Sequence, residues 1–305
     1  MTVVDLYNRD FSMNIGGVPI TTQTGDPLVK DRIDTQLRVT FDVEKTLSKE
    51  PNQATITVYN LNIPNRAAIQ TGAEIADTAR TATPPIAYDW PLVIEAGYMG
   101  SLETIFSGNI TFAHSEKEAV DWVTTIEAGD GENKYRKGRM NKSYKAGTTV
   151  AQVALDAAAL LDVSPGNIAE KLGVGVFRNG YSVFTQGYVA SGSAADILDS
   201  LMSSAGFRWS IQDGSLQVLA PTDTNFEEIV ILSKDFGMVG SPQIAEKGKI
   251  TVTSLLQGKL KPGGRIIVQS ELVNGQFKVE RVKHFGDTFG RDWYTEIEAK
   301  PAGLA

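Results

Sequence analysis

The sequence predicts a mainly β protein with an α+β middle module and two related β-domains flanking it. Three observations lead there. The segment Asp121-Trp-Val-Thr-Thr-Ile-Glu-Ala128 returns as Asp292-Trp-Tyr-Thr-Glu-Ile-Glu-Ala299, six identities in eight positions at an offset of 171. Both copies alternate with the period of two of a half-buried strand, and Trp, Val, Tyr, Thr and Ile favour the extended state. A β-unit repeated at opposite ends of a chain implies two related domains with something different between them. The second observation is a set of two-residue turn signals between alternating runs, and the third is that clear helical periodicity is confined to the middle.

Taken in order, Gly16-Gly17 separates strand-like residues 11–15 from 18–22. Such a pair tolerates the positive φ that tight hairpin turns demand. Further strands are predicted over 36–45, 53–59, 92–96 and 104–111, giving the first 130 residues the strand complement of a small barrel or sandwich. A short helical turn follows Asn62, since Pro64 suits the first helical position and residues 66–69 can continue it. Residues 71–88, rich in Thr, Ala and Pro, show no period and read as a long surface loop. Thr149-Val-Ala-Gln152 has the form of a capping box and opens a helix to about Leu161, with Val150, Val153, Ala154, Ala157 and Leu161 on one face. Ser193-Ala-Ala-Asp196 opens a second helix with Ile197, Leu198, Leu201 and Met202 apolar, stopped at Gly206. Asp213-Gly214 then joins strands 208–212 and 215–219. Strands follow over 228–232 and 249–255, and Asn274-Gly275 is read as the turn between 266–273 and 276–282. The implied divisions are residues 1–131, 132–225 and 226–305.

The composition, 42% apolar and 21% charged over 305 residues, is that of a globular chain with enough length for two or three cores. Cysteine is absent, which excludes disulfides and thiolate chemistry. Asp5 stands where a signal peptide would carry its apolar core, so synthesis in the cytoplasm is expected. No apolar run approaches the roughly 18–20 residues that span a bilayer, and no membrane partner is expected. The net charge of −7 is uneven: residues 1–130 hold 9 basic and 18 acidic side chains, 131–243 hold 10 and 11, and 244–305 hold 10 and 7. An acidic body argues against a general grip on DNA, which needs clustered Lys and Arg. One basic run stands out: Lys134, Arg136, Lys137, Arg139, Lys142 and Lys145. Its few apolar neighbours make it first a solvated connector and second a contact site for another protein.

Chemistry-bearing patterns are thin. The two histidines, His114 and His284, lie seven and eight residues before the repeated Asp, each read as the end of a strand, and a shared structural role is the economical account. No nucleophile elbow, phosphate loop, zinc-protease motif or EF-hand loop is present, and no cofactor or metal is implied. Glu296 and Glu298 alternate on a strand, as on a solvated sheet face, rather than forming an acid/base pair. Catalytic residues are therefore not assigned and an enzyme is not expected. Tyr144-Lys-Ala-Gly-Thr-Thr-Val150 with Ser164-Pro-Gly-Asn167 is similar to the opening of a LysM peptidoglycan-binding module. It departs from that family at Thr148 and in the Ile168-Ala-Glu-Lys-Leu-Gly173 that replaces the closing strand.

A set of phrases in order covers most of the chain: Leu37-Arg-Val-Thr-Phe-Asp-Val-Glu-Lys45, Pro51-Asn-Gln-Ala-Thr-Ile-Thr-Val-Tyr-Asn-Leu61, Glu95-Ala-Gly-Tyr98, Ile105-Phe-Ser-Gly108, the two repeated segments and Ser254-Leu-Leu256. Together they resemble the baseplate hub proteins of tailed bacteriophages, especially contractile-tailed ones, and of related spike-bearing injection machines. The resemblance implies two tail-tube-like β-barrel domains flanking the α+β middle module, a homotrimer, and a position in the virion baseplate after assembly in the host cytoplasm. It also implies partners: the tail tube or distal tail protein above, the central spike below, other baseplate proteins around, and DNA only in transient passage through the lumen. A duplicated unit in three chains supplies six similar domains, which would reconcile a sixfold tube with a threefold spike. The rival from another class is a peptidoglycan- or carbohydrate-binding, or murein-degrading, tail or secreted protein, also β-rich and acidic. If the repeats are equivalent domain positions, Trp122 and Trp293 should both be largely buried.

Overall fold

The computed structural model describes residues 8–23, 37–81, 90–130, 138–173 and 182–302. Strands β1 (Arg9–Ile15) and β2 (Val18–Gln23) form the hairpin predicted around Gly16-Gly17, with Ile15 opposite Val18. After them come β3 (Val39–Thr46), β4 (Gln53–Tyr59), helix α1 (Ile63–Thr81), β5 (Pro91–Tyr98), β6 (Ser101–Glu118) and β7 (Asp121–Gly129). The middle holds β8 (Arg139–Tyr144), α2 (Val150–Leu160), α3 (Ile168–Lys171), β9 (Tyr188–Ser193), α4 (Ala194–Ala205), β10 (Arg208–Gln212) and β11 (Ser215–Leu219). The chain ends in β12 (Asn225–Ser233), β13 (Met238–Ile244), β14 (Ile250–Leu255), β15 (Gly264–Gln269), β16 (Asn274–Asp287) and β17 (Trp293–Pro301).

The mainly β class is as the sequence predicts, but the longest helix, α1, lies in the first unit and not in the middle, and the sheets do not close into barrels. Thirteen strands form one sheet in the order β13-β14-β17-β16-β3-β4-β7-β6-β5-β1-β2, with β15 and β12 branching from β16. The joint is β16. Its first half, residues 274–278, pairs with β15, and its second half, 281–287, pairs antiparallel with β3. Strand β3 thus fills an edge of the last unit instead of closing the first.

The duplication is deeper than the repeated octapeptide. β3-β4-β7-β6-β5 and β13-β14-β17-β16-β15 have the same order and all-antiparallel neighbours. Ile56 faces Ile126 in the first unit, and Val252 faces Ile297 in the second. Both units also carry an extra residue at the same place. Thr111 of β6 is unpaired between the Ile110–Ala128 and Phe112–Glu127 pairs, and Glu280 of β16 between Val279–Ala299 and Arg281–Glu298. A bulge bends its strand and sets local twist, so a shared bulge gives the two hairpins the same curvature.

Three apolar cores result. The first centres on Phe11, Phe41, Ile56, Ile94, Phe106 and Ile126 and includes Trp293 from the last strand. The second packs α2 and α4 against the β8–β9 and β10–β11 hairpins. The third gathers Val252, Ile266, Val268, Val279, Val282 and Ile297. In the middle, Thr149 caps α2 as expected, its hydroxyl accepting from the Gln152 N–H at 3.1 Å. The Gln152 side chain, however, bonds Asp156 rather than completing the box. Helix α4 ends at Gly206 in the left-handed region, as predicted.

Four expectations are corrected. The aperiodic stretch from residue 71 is helical through Thr81: α1 packs with Ile69 and Ala73 buried, and Gly72 sits so close to the Trp90 ring that any Cβ would overlap it. Small residues at the contact hid the period, while residues 82–88 of the predicted loop lie outside the described residues. Asn274-Gly275 is inside β16. The turn is 270–273, where Ser270 Oγ and Val273 exchange hydrogen bonds at 2.9 and 3.0 Å and Asn274 Nδ2 donates to Ser270 O at 2.6 Å. The histidines lie within strands: His284 faces Thr295 and His114 faces Thr125. Finally, the tryptophans differ. Trp293 is 1% exposed and Trp122 39%. Trp293 stands edge-on to Phe41 with ring centroids 5.3 Å apart, beside Gly286, where a Cβ would meet both rings. Trp122 has no such neighbouring strand and is covered on one face by the Arg66 guanidinium at 3.9 Å.

Candidate assembly interface

Several buried polar groups, among them Lys45, Asn52, Asp130 and Lys278, gather where the middle module meets the duplicated sheet. The β10–β11 hairpin turns at Asp213-Gly214, both at positive φ as predicted, and points its tip at β3. There the fully buried Lys45 of β3 forms an ion pair with Asp213. Asn52 Nδ2 donates to Ile211 O at 2.8 Å, Gln212 Nε2 to Thr46 O at 2.8 Å, and the Gly214 N–H to Asp130 at 3.0 Å. On the other side, Lys278 Nζ of β16 donates to Ala220 O at 3.1 Å. These contacts fasten the module to both units through backbone groups a helix or strand would otherwise use internally. No local pattern in the sequence marks them, because the partners are 58 to 168 residues apart.

The charges here are strained by burial. Desolvation pushes the Lys45 ammonium down and the Asp130 carboxyl up to about 6, against a neighbouring Asp213 and despite bonds that favour the anion. An acid whose folded pKa is raised binds more protons when folded, so its contribution to stability falls as pH rises from about 4 to about 6. Asp130→Asn, which keeps the acceptor for Gly214, is expected to flatten that dependence. Thermal melts at pH 4 and pH 7 should show wild type and variant converging at the lower pH, with the variant ahead at neutrality. A neutral-pH loss would contradict this.

One face of the sheet is largely polar, with Phe112, Phe285 and Tyr294 set among its charges. On it, Arg281 Nε meets Glu44 at 2.6 Å and Nη1 meets Glu298 at 2.7 Å, and Lys283 pairs with Asp42 at 2.7 Å. The hydrogen bond from Arg281 holds the Glu44 carboxyl below its usual range. Carboxylates outnumber cations there: Asp42, Glu44, Glu116, Glu127, Glu280, Glu296 and Glu298 against Lys249, Arg281, Lys283 and Lys300. The opposite face carries the apolar cores, including His284. Its Nδ1 lies 2.9 Å from Thr295 Oγ1, and burial pushes its pKa down to about 3, so it stays neutral. Together these place one net-acidic, solvated surface across both units.

The basic run is not gathered into one patch. Lys134, Arg136 and Lys137 lie outside the described residues. Arg139 and Lys145 are exposed, while Lys142 is turned onto Asp156 at 2.6 Å, which also accepts from Tyr144 OH at 2.7 Å. In the Ser164-Pro-Gly-Asn167 turn the first three residues are exposed and Asn167 turns inward: its Nδ2 donates to Val218 O at 2.8 Å and its Oδ1 accepts from the Val218 N–H at 2.7 Å. Among the described residues no group of three His, Cys, Asp or Glu is placed to hold a metal. No helix among them is long and apolar enough to cross a membrane.

Known proteins share this architecture. A 43 kDa tail protein of prophage MuSo2 from Shewanella oneidensis superposes with a TM-score of 0.61 at 9% identity, covering 97% of this chain and 100% of that one. A tail protein from Neisseria meningitidis MC58 gives 0.62 at 10% identity over 98% of each chain. The E. coli c3393 protein, a component of the type VI secretion system with structural similarity to the T4 bacteriophage tail proteins gp27 and gp5, gives 0.55 at 14% identity over 88% of this chain and 75% of that one. At such identities the likeness is one of fold. No curated protein sequence matches the chain. The model of the baseplate hub gp41 family does match, over residues 17–298. This chain, a tail structural protein of phage type, belongs to the baseplate hub gp41 family.

Proposed function

We propose that the chain is the trimeric hub of a tail baseplate, joining the hexameric tail tube to the trimeric central spike around a channel for DNA. The observation that carries this reading is the duplicated five-strand unit, the same in order and in bulge position. Two similar units per chain in three chains present six similar surfaces to one neighbour and three identical chains to the other. The solvated acidic sheet face then lines the channel. Its carboxylates repel phosphate, so DNA passes without being held, as counterion release at clustered cations would otherwise hold it. The middle module is fastened at the junction and faces other baseplate proteins, with the run from Lys134 to Lys145 and the segment after α1 as contact points. The domain divisions 1–131, 132–225 and 226–305 are part of this proposal.

The murein-binding alternative is disfavoured by Asn167, whose amide is spent on the Val218 backbone and cannot greet a sugar. Purified protein is expected to leave murein intact in zymography. A cleared band that disappears on substituting one carboxylate would contradict the structural role. Light scattering at micromolar concentration is expected to give three times the chain mass, and a chain that remains monomeric or stops at a dimer counts against the hub.

A further inference from the structure

Where the middle module covers the polar face of the second unit, the charge of that face reverses. Arg265 of β15 stands directly opposite Lys278 of β16, and Lys278 directly opposite Lys300 of β17. Opposed residues in an antiparallel pair point to the same face, so three cations lie side by side, an arrangement that like-charge repulsion disfavours. Arg208, at the start of β10, adds a fourth from the module. The carboxylates that act on Lys278, Glu280 and Asp223, are already engaged. Glu280 gives one oxygen to Lys249 at 2.7 Å and the other to Lys300 at 3.0 Å, and Asp223 lies 3.7 Å from Lys171.

Lys278 is the exceptional member of the row. It is 3% exposed, its one hydrogen bond is to Ala220 O, and among the described residues it has no ion pair. An ammonium carries three N–H donors, so two are left over, and a buried charge is ordinarily paired. Desolvation first, and Lys300 second, push its pKa down to about 8. Lys278 lines a cavity of about 10 Å³ walled by Leu47, Trp209 and Leu219, with Arg208 and Lys300 also on its lining. That volume is room for one water-sized atom. Arg208 is exposed and Lys300 half-buried, so the cavity runs from a buried ammonium to two cations in contact with solvent.

We infer that this cavity is a site for one carboxylate, an Asp or Glu side chain presented by another protein, with one oxygen on Lys278 Nζ and the other toward Arg208 and Lys300. The size of the cavity limits what enters: a single oxygen fits, and the rest of the ligand stays at the mouth. The donors suit a carboxylate, since bonds between ionised partners are the strong ones and a guanidinium can hold the second oxygen. The surroundings select against a longer polyanion. A nucleic-acid strand reaching Lys278 would lie along a face on which carboxylates outnumber cations, whereas a single side chain meets only the local row. Occupation also ties the module to the second unit, because Arg208 belongs to one and Lys278 and Lys300 to the other. The site lies within one chain, so it stands or falls independently of the threefold ring.

Lysine isotopically labelled at Cε lets the Lys278 titration be followed by NMR in the full chain, its signal assigned by its loss in Lys278→Met. Sodium acetate and a short glutamate peptide are the probes, with sodium chloride at equal ionic strength as the control. Both probes should move the Lys278 pKa saturably from about 8 toward the ordinary lysine range, because a bound anion favours the charged form. Arg208→Gln, at an exposed position, should fold as wild type and weaken the effect several-fold. Acetate should also raise the melting temperature of wild type and not that of Lys278→Met. No response to either probe would overturn the site, as would a shift that chloride matches or that Arg208→Gln leaves unchanged. Inorganic phosphate or a DNA oligonucleotide that moves Lys278 where acetate does not would overturn the assignment to a carboxylate.

Discussion

Truncating Trp293 to alanine is expected to lower stability by about 3–5 kcal/mol, the usual cost of emptying a buried aromatic site. The ring belongs to β17 by sequence but to the first core by contact. It packs edge-on to Phe41 and takes the Arg9 guanidinium on its face at 5.5 Å, and its Nε1–H donates to Gly97 O at 3.2 Å. The void would open at the joint between the units, and the Gly97 carbonyl would lose its donor. Trp122→Ala, at the matching repeat position, is expected to cost only about 1 kcal/mol, since its chief partner is one exposed cation–π contact. Chemical denaturation of the two variants side by side checks this. Equal losses would contradict the asymmetry between the units.

Breaking the buried pair at the junction is the second large effect. Asp213→Ala leaves the Lys45 ammonium buried without a counterion, which costs on the order of 3–5 kcal/mol. Lys261, 3.6 Å from Asp213 and half-exposed, is itself a cation whose charge opposes that of Lys45, so it gives no compensation. Desolvation already holds the Lys45 pKa below its ordinary value. Removing the anion lowers it further, so the folded state binds fewer protons than the unfolded and the variant's deficit shrinks as pH rises toward the lysine range. Lys45→Met combined with Asp213→Asn removes both charges and should recover most of the loss. Melting temperatures of the single and double variants decide the matter, and a double variant as weak as the single one would show that the pair matters for more than its charge.

How far these features could be read from sequence depends on their range. Strand identity and the duplication were legible because alternation and the octapeptide are local. Asp213-Gly214 and the Thr149 cap were placed correctly because a turn and a helix start are decided by a few neighbouring atoms. Asn274-Gly275 misled for the same reason: it is a good turn pair, but Ser270 and Asn274 bond across a longer loop and the ladder extends over the pair. The sequence predicts too short an α1 because Gly72 and Ala73 make its contact by being small, which leaves no apolar period to see. The different fates of Trp122 and Trp293 are set by whether a strand from the other unit lies alongside, a fact no octapeptide contains. The basic run was visible, yet the turning of Lys142 onto Asp156 depends on α2 packing beside β8. The polar junction had no local signal at all.

The central claim is that two equivalent units per chain make a pseudo-sixfold ring with threefold symmetry. Cryo-electron microscopy of the purified protein at high concentration tests it most directly. The expected class averages show three chains, six lobes of like shape and a central opening lined by the acidic sheet face. A twofold particle, or a ring whose lobes within one chain superpose poorly, would contradict the account.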